Sequence, residues 1–342
     1  MFKSIKRFSK YQPRLYGKNP YGKIRPKNCP PYLSLPSLTL SMPDYNEKEI
    51  CPINKNCNFH FLYNSTFKDY NLPIFQCKTC GLQKLYPRPS QLEELYQEDY
   101  YHGKAKFAYT DERNKFKYHS HVWNSRLKLI RKYKSIGSIL EVGSSFGGFL
   151  TRAKVFGYQI QGIELSEYSC NYANSMGIPT FHGDLESSPF ENESFDIIVL
   201  NEVIEHLPNP KLSLDRLVNL LKPQGLIIIQ TANFEGWQAK DELSNYHYYL
   251  PGHLFYYNES IFRKAFLQRN IDKIKVFYGS DISLYSKLMK SRGNFKTLKD
   301  YLGWFKTILY HFKSKIKWKS DPLTSGFVIY GFKGGRLEDK DE

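Results

Sequence analysis

The sequence predicts a doubly wound α/β domain with a mostly parallel sheet. From residue 138 onward, short apolar runs alternate with stretches of helical periodicity, which is typical of successive βαβ units. The first of these runs ends in an acid and is followed by a glycine-bearing turn that can open a helix. Domains of this class bind nucleotide-like ligands with that arrangement. The chain of 342 residues, 41% of them hydrophobic, is long enough for one such domain with appendages or for two domains.

The elements of this domain follow in order along the chain. We expect its strands at Ser138–Val142, Gln159–Glu164, Pro179–His182, Phe195–Leu200, Leu226–Thr231, Lys273–Tyr278 and Gly326–Phe332, the last two pairing at an edge. Between them we expect helices over Ser166–Met176 and Leu212–Leu221, the second one stopped by a turn at residues 222–225. Further helices are predicted over Leu92–Tyr101 and over residues 111–134, which lead into the first strand.

The N-terminal third divides into an arm and a small cysteine-containing subdomain. Residues 1–45 are rich in Pro, Tyr, Lys and Ser and are predicted to be extended, whereas residues 46–105 form the subdomain and residues 106–335 the α/β domain. Cys77-Lys78-Thr79-Cys80-Gly81 suits one half of a zinc knuckle. The other half is irregular, because Asn54 stands where a second cysteine is wanted and Cys57 or His60 would substitute. We therefore predict either a metal-free ribbon or a zinc site formed by Cys51, Cys57, Cys77 and Cys80.

The net charge of +16 is concentrated in two segments. Residues 1–28 contain nine Lys or Arg and no acid, and residues 281–320 contain ten against two acids. Basic segments of this kind suit anionic membranes, anionic glycans or nucleic acid. We predict a basic amphipathic insertion at about 284–320 that packs on its own domain, lies on anionic lipid or covers the substrate. Its apolar residues at helical spacing are Leu298, Leu302, Phe305, Ile308, Leu309, Phe312 and Ile316.

The distribution of apolar residues predicts a cytoplasmic protein, peripheral at the inner membrane surface if the basic segments bind lipid. No apolar stretch approaches the ~20 residues of a membrane span, and the basic N-terminus lacks the apolar region of a signal peptide. In a reducing compartment the cysteines are expected as free thiols or metal ligands.

Polar residues follow successive strands where a nucleoside ligand would need them. Glu141 ends the first strand before the glycine turn, and Glu164 ends the second, where an acid can accept hydrogen bonds from both ribose hydroxyls. Asp184 follows the third strand, where an adenine amino group would lie. A dinucleotide oxidoreductase is the alternative use of this fold, but Asp184 and the polar cluster from Asn201 to His206 favour a different nucleoside-containing cofactor.

On these residues, positions 138–280 resemble a class I S-adenosylmethionine-dependent methyltransferase. The family's Glu-x-Gly-x-Gly-x-Gly motif is matched by Glu141, Gly143, Ser145 and Gly147, with Ser145 in place of the middle glycine. The resemblance implies a seven-stranded sheet whose final strand is antiparallel. It also implies that Gly143 and Gly147 border the methionine part of the cofactor. The remaining implied contacts are Glu164 to the ribose, Asp184 and Leu185 to the adenine, and Asn201 within the cofactor site.

The Glu-x-x-Glu-His cluster follows the fourth strand and is the predicted catalytic centre. If a helix starts there, Glu202, Glu205 and His206 share one face. His206 can act as a base or contact substrate, the cluster can bind a divalent cation, or it can be structural. Similar clusters occur in ubiquinone-biosynthesis O-methyltransferases and small-RNA 2′-O-methyltransferases, where a magnesium-type ion positions substrate oxygens. His253 or His247 would add a ligand for Mg²⁺.

The segment from Cys77 to Ser90 resembles the zinc-ribbon leader of bacterial methyltransferases that act on sugars and cell-surface glycans. In that leader Cys-x-x-Cys-Gly-Leu precedes Pro-Arg-Pro-Ser, here residues 87–90. The resemblance implies a carbohydrate or glycan acceptor that is methylated on a hydroxyl. The alternatives are a metal-assisted methyltransferase acting on RNA or on a quinone-like small molecule, and a non-catalytic cofactor-binding module.

Overall fold

A computed structural model describes residue 53 and residues 58–68, 70–87, 111–318 and 321–334. The N-terminal arm, Cys51, Cys57, the predicted helix Leu92–Tyr101 and residues 88–90 lie outside the described residues. The strands are β1 Phe59–Phe67, β2 Tyr70–Cys77, β3 Gln83–Leu85, β4 Ser138–Val142, β5 Gln159–Glu164, β6 Thr180–His182, β7 Phe195–Asn201, β8 Leu221–Ala232, β9 Phe255–Tyr256, β10 Ile271–Tyr278, β11 Lys317–Trp318, β12 Asp321–Pro322 and β13 Gly326–Lys333. The helices are α1 Phe116–Tyr133, α2 Gly148–Val155, α3 Glu167–Ser175, α4 Pro210–Leu220, α5 Trp237–Glu242, α6 Glu259–Leu267, α7 Leu284–Arg292 and α8 Tyr301–Lys313.

Seven strands form the main sheet in the order β10-β13-β8-β7-β4-β5-β6. Strands β8, β7, β4, β5 and β6 run parallel, and β13 is antiparallel to both β8 and β10. The order reverses beside β4, which is the topological switch point where doubly wound sheets bind ligands at the carboxyl ends of their strands. This confirms the mostly parallel seven-stranded sheet, its antiparallel final strand and the pairing of the last two strands at an edge.

The centre of the sheet is apolar because helices cover both of its faces. Residues 197–200 of β7 and 226–229 of β8 are fully buried. Two local differences from the predicted elements have physical causes. Helix α4 starts at Pro210 because the Asn209 side chain caps it, accepting from the Leu212 backbone N–H. Residues 222–225, predicted as a turn, form a bulge within β8, where the pairing with β7 jumps from Phe195–Leu221 to Ile197–Leu226.

A second sheet joins the N-terminal part of the chain to the α/β domain. Its order is β1-β2-β3-β9, so the fourth strand comes from a loop more than 160 residues later. Gln83 pairs with Tyr256, and the Leu85 backbone N–H donates to the Leu254 carbonyl at 2.9 Å. This sheet therefore fixes the backbone on either side of β9.

The insertion between β10 and β13 contains α7, α8 and the short pair β11–β12. The predicted amphipathic helix is present as α8, but most of its apolar residues do not pack on the domain. Leu302, Phe305 and Leu309 are each more than half exposed. Of the three arrangements predicted for this segment, packing on its own domain is therefore wrong for these side chains. Among the described residues, no helix is both long and apolar enough to cross a membrane.

Candidate active site

The loop between β4 and α2 has the backbone that the glycine motif predicts. Gly143, Ser145 and Gly147 all adopt left-handed conformations, with φ of 71°, 50° and 76°. A Cβ added at Gly143 would lie 2.5 Å from the Val203 Cγ2, so only glycine fits there. Ser145 adopts a positive φ in spite of its side chain, which costs on the order of 1 kcal/mol. The substitution of serine for the middle glycine therefore leaves the turn intact.

Glu164, at the end of β5, holds this loop in place. Its two carboxylate oxygens accept the backbone N–H groups of Ser145 and Ser166 at 2.7 and 2.9 Å. Each carboxylate oxygen has two acceptor sites, so a ribose hydroxyl can still be accommodated. Asp184 follows β6 and accepts the Ser187 backbone N–H at 2.7 Å, while Leu185 beside it is buried. The structure thus brings the loop, Glu164 and the Asp184 turn together at the carboxyl edge of the sheet.

Glu141 is buried at the end of β4 and is only partly satisfied. One of its carboxyl oxygens accepts the Asn201 amide at 3.0 Å, and the other has no hydrogen-bond partner among the described residues. Burial, followed by the charge of Glu112, raises the pKa of this carboxyl well above its ordinary value. A cationic ligand would satisfy the unpaired oxygen and favour its charged form. S-adenosylmethionine has both an ammonium and a sulfonium, so these residues fit it.

Arg126 organises the residues beneath this site, and sequence reasoning missed it. From the buried face of α1, its guanidinium forms a two-pronged ion pair with Asp281 at 2.6 and 2.8 Å. It also donates to the Asn201 side-chain oxygen and to the Gln230 side-chain oxygen. The only signal available was a single arginine on the apolar face of the helix, because its partners lie 75 to 155 residues away.

Glu202 does not share a helix with Glu205 and His206, so the expected common face is wrong. The strand continues into Glu202, whose backbone N–H still donates to the Gln230 carbonyl, and whose φ of 55° then turns the chain. A single 3₁₀ turn follows at Ile204–His206. The Glu202 carboxylate accepts the Gln230 amide at 2.7 Å, which connects it to Arg126 through one side chain.

Glu205, His206 and His253 nevertheless come together. One candidate ligand atom of each lies within 4.8 Å of the others, so the group could hold a metal ion. The carboxyl of Glu205 is buried, and neither oxygen has a well-formed hydrogen bond within the described chain. Burial, and then the charge of Glu202, raise its pKa well above the ordinary value. An unsatisfied buried carboxyl is the state that a cation would relieve.

Backbone contacts fix the tautomer of the two histidines. The Nδ1 of His206 lies 2.8 Å from the Gly252 carbonyl, and the Nδ1 of His253 lies 2.8 Å from the Tyr248 carbonyl. Because a carbonyl can only accept, each Nδ1 bears the hydrogen and each Nε2 the lone pair. Burial lowers the pKa of His206 to about 4 and that of His253 well below its ordinary value. Both rings are therefore neutral at neutral pH. His247, the other ligand considered, lies instead beside Glu242.

The CxxC segment folds as a tight turn. The Gly81 backbone N–H donates to the Cys77 carbonyl at 2.9 Å, with a Gly81 φ of 78°. The side chains of Cys77 and Cys80 are both buried. Because Cys51 and Cys57 lie outside the described residues, the zinc site remains a prediction. Within the described ranges, the group that could hold a metal ion consists of Glu205, His206 and His253.

Comparison with curated proteins finds short stretches of similarity. The chain is 31% identical over 119 residues to an uncharacterised protein of Methanocaldococcus jannaschii, covering 35% of this chain and 56% of that protein. It is 29% identical over 107 residues to a ubiquinone biosynthesis O-methyltransferase of Bartonella tribocorum, covering 30% and 43%. It is 24% identical over 139 residues to phosphoethanolamine N-methyltransferase 2 of Caenorhabditis elegans, covering 36% and 31%. The chain thus spans about a third to a half of the length of these relatives.

Among solved structures, phosphoethanolamine N-methyltransferase 2 of Haemonchus contortus in complex with S-adenosyl-L-methionine has a TM-score of 0.48 at 17% identity, covering 82% of this chain and 69% of that one. A S-adenosylmethionine-dependent methyltransferase of Archaeoglobus fulgidus has a TM-score of 0.45 at 15% identity, covering 64% and 97%. A family model described as a methyltransferase domain matches residues 103–276. That match includes the glycine loop, Glu164 and the Glu205–His206–His253 group, and it spans half of the chain. The chain belongs to the methyltransferase domain family, with the strand order of class I.

Proposed function

We propose that this protein is an S-adenosylmethionine-dependent methyltransferase that methylates a hydroxyl group with the help of a divalent cation. Family membership and the unsatisfied carboxyl of Glu141 beside the glycine loop support the cofactor. When bound, the cofactor supplies a methyl group activated by its sulfonium. We assign Gly143 and Gly147 to the close approach of the cofactor's methionine part. Glu164 is assigned to its ribose, and Asp184 and Leu185 are assigned to its adenine.

The observation that supports a metal-assisted reaction best is the Glu205–His206–His253 group. One carboxylate and two imidazole nitrogens form a ligand set suited to Mn²⁺, Fe²⁺ or Zn²⁺, and to Mg²⁺ if water completes its coordination. A cation held there would lower the pKa of a hydroxyl bound to it. General-base catalysis by His206 is less consistent with a pKa of about 4, because so weak a base removes a hydroxyl proton poorly. We therefore assign His206 as a ligand and Glu202 as its supporting neighbour.

The proposed acceptor has two neighbouring oxygens. Three protein ligands leave positions on a cation that an adjacent pair of acceptor oxygens can take. The zinc-ribbon-like leader favours a sugar or cell-envelope glycan as the source of this pair. The relatives named ubiquinone biosynthesis O-methyltransferase favour a quinone-like small molecule as the second candidate. The ribose at an RNA 3′ end has the same chemistry, so the test includes it.

The experiment measures methyl transfer from labelled S-adenosylmethionine by the full chain after chelation and after addition of Mg²⁺, Mn²⁺ or Zn²⁺. The acceptors are sugars with vicinal hydroxyls, a catechol and an RNA with a free 3′ end. We expect transfer to one acceptor class, at least about 100-fold weaker in Glu205→Gln and His253→Gln, since even indirect supports of metal ligands cost 10- to 100-fold. His247→Gln is the matched control and should retain full transfer.

Calorimetry separates the two parts of the proposal. Glu205→Gln and His253→Gln should both bind S-adenosylmethionine within about threefold of the wild type, because neither altered residue is among those assigned to the cofactor. Equal transfer with and without a cation would overturn the metal assignment. Failure of the wild-type chain to bind the cofactor at near-millimolar concentration would overturn the enzyme assignment and favour a non-catalytic module.

A further inference from the structure

One face of α8 and its flanking turns presents large apolar side chains to solvent. We call this face the apolar stripe and define it as Leu298, Leu302, Phe305, Leu309, Phe312 and Ile316. Each of these side chains is between 53% and 85% exposed. Their spacing alternates between four and three residues, which keeps all six on one side of a helix. Scattered exposed leucines are ordinary, but a continuous row of six is an interaction surface.

The opposite face of α8 anchors the helix, so the stripe has a fixed direction. The Trp304 indole N–H donates to the Leu288 carbonyl of α7 at 3.0 Å. The His311 ring lies 3.2 Å from the Lys287 amine of the same helix. Trp304, Ile308 and His311 follow one another at spacings of four and three and are all partly buried. Because α8 is held by this face, the stripe can only be covered by something outside the described domain.

The charge around the stripe indicates what covers it. Residues 287–317 contain nine Lys or Arg and a single acid, Asp300. That acid is occupied locally, because its carboxylate accepts the backbone N–H groups of Lys296 and Thr297 at 2.6 and 2.7 Å. Two aromatic residues, Tyr301 at the start of α8 and Trp318 just after the stripe, are also exposed. The surface therefore combines an apolar row, a basic surround and aromatic ends.

We propose that the apolar stripe docks on the surface of an anionic lipid bilayer, with α8 lying in the plane of the interface. Acyl chains accept the apolar row, anionic headgroups neutralise the lysines, and tyrosine and tryptophan favour the headgroup level. A second copy of the chain would bring two strongly basic faces together and is disfavoured by repulsion. RNA would neutralise the lysines but would leave leucine and phenylalanine side chains without a matching surface.

The test is flotation of the full chain with vesicles of phosphatidylcholine alone or of phosphatidylcholine with phosphatidylglycerol. We expect binding only to the anionic vesicles, weakened by salt, with a blue shift of tryptophan emission that Trp318→Phe reduces. The double variant Phe305→Ser/Leu309→Ser should bind about 100-fold more weakly, at roughly tenfold per buried apolar side chain. Lys306→Gln/Lys313→Gln should bind about 25-fold more weakly, at roughly fivefold per lysine.

Matched controls change the same residue types elsewhere on the surface. Ile136→Ser/Leu267→Ser removes two exposed apolar side chains, and Lys132→Gln/Lys154→Gln removes two exposed charges. Both should bind vesicles within about twofold of the wild type. Because every altered side chain is exposed, all variants should keep the circular dichroism spectrum and cofactor affinity of the wild type.

Three results would overturn the proposal. The first is equal binding to neutral and anionic vesicles, or binding to neither. The second is equal loss in the stripe variants and their controls. The third is a dimer that Phe305→Ser/Leu309→Ser dissociates, or tight RNA binding that the same variant abolishes, in a protein that does not bind vesicles. If the stripe variant fails to fold, the emission shift of the wild type and the lysine pair decide the outcome.

Discussion

Replacing Arg126 by methionine should destabilise the protein strongly. Its side chain is 6% exposed and that of Asp281 is fully buried. The substitution therefore leaves the Asp281 carboxylate in the interior without its ion-pair partner, although it still accepts a hydrogen bond from the Tyr330 hydroxyl at 2.6 Å. Breaking a buried ion pair by removing one partner costs about 3–5 kcal/mol. The side-chain oxygens of Asn201 and Gln230 also lose a donor, at about 1 kcal/mol each. We expect the free energy of unfolding to fall by at least about 4 kcal/mol.

Urea denaturation measures this loss, and a second substitution tests its cause. Asp281→Asn removes the unpaired charge but can still accept from Tyr330, so adding it to Arg126→Met should restore about 2 kcal/mol. Cofactor affinity should behave differently. Without Arg126 the Asn201 amide no longer has a fixed orientation toward Glu141, so both variants should bind S-adenosylmethionine about tenfold more weakly. A loss below about 1 kcal/mol, or no recovery in the double variant, would refute the reasoning.

The remaining predictions concern buried charge and the glycine loop. Glu205→Gln should stabilise the fold more at about pH 8 than at about pH 5, measured by urea denaturation. The raised folded pKa makes the wild type lose stability as pH rises above the ordinary value of 4.5, and the amide does not titrate. For His206 the dependence of stability on pH has the opposite sign, because its pKa of about 4 in the folded protein lies below the ordinary 6.5. Stability should fall as pH drops through that window, by up to about 3 kcal/mol, and His206→Asn should flatten the profile. Gly143→Ala should lower the Tm and weaken cofactor binding by clashing with Val203, at about 1–3 kcal/mol, and Val203→Ala should recover part of both.

Much of the main sheet could be predicted because its signals are local. The strand bounds Ser138–Val142 and Gln159–Glu164 match the structure residue for residue, since short apolar runs bounded by Gly and polar residues specify buried strands. The helix after β5 was predicted to within one residue at each end, because Ser166 caps it and accepts the Ser169 backbone N–H. Acids at the ends of parallel strands meet at one edge, so the grouping of Glu141 and Glu164 followed from their order in the chain.

The rest depends on contacts between distant residues, which no local pattern contains. Gln230 reaches Glu202 only because β7 and β8 are neighbours in the sheet, and His253 reaches Glu205 only through the loop before β9. The left-handed turn was not indicated by the sequence, because the residue with positive φ is Glu202 and not a glycine or asparagine. The periodicity of α8 predicted an apolar face correctly, but periodicity cannot specify which of two faces packs inward when both contain large side chains.

The pairing of β3 with β9 has a consequence for the order in which the protein assembles. The Leu85 backbone N–H donates to the Leu254 carbonyl, and the Leu254 N–H in turn donates to the Glu205 carbonyl at 2.8 Å. Three segments that are distant in the sequence therefore meet beside Glu205. Contacts between residues so far apart in sequence close slowly, since the loop entropy is lost before they form. During synthesis β3 leaves the ribosome long before β9 exists to pair with it. We therefore expect Glu205, His206 and His253 to come together late in folding, after the central strands of the main sheet have formed.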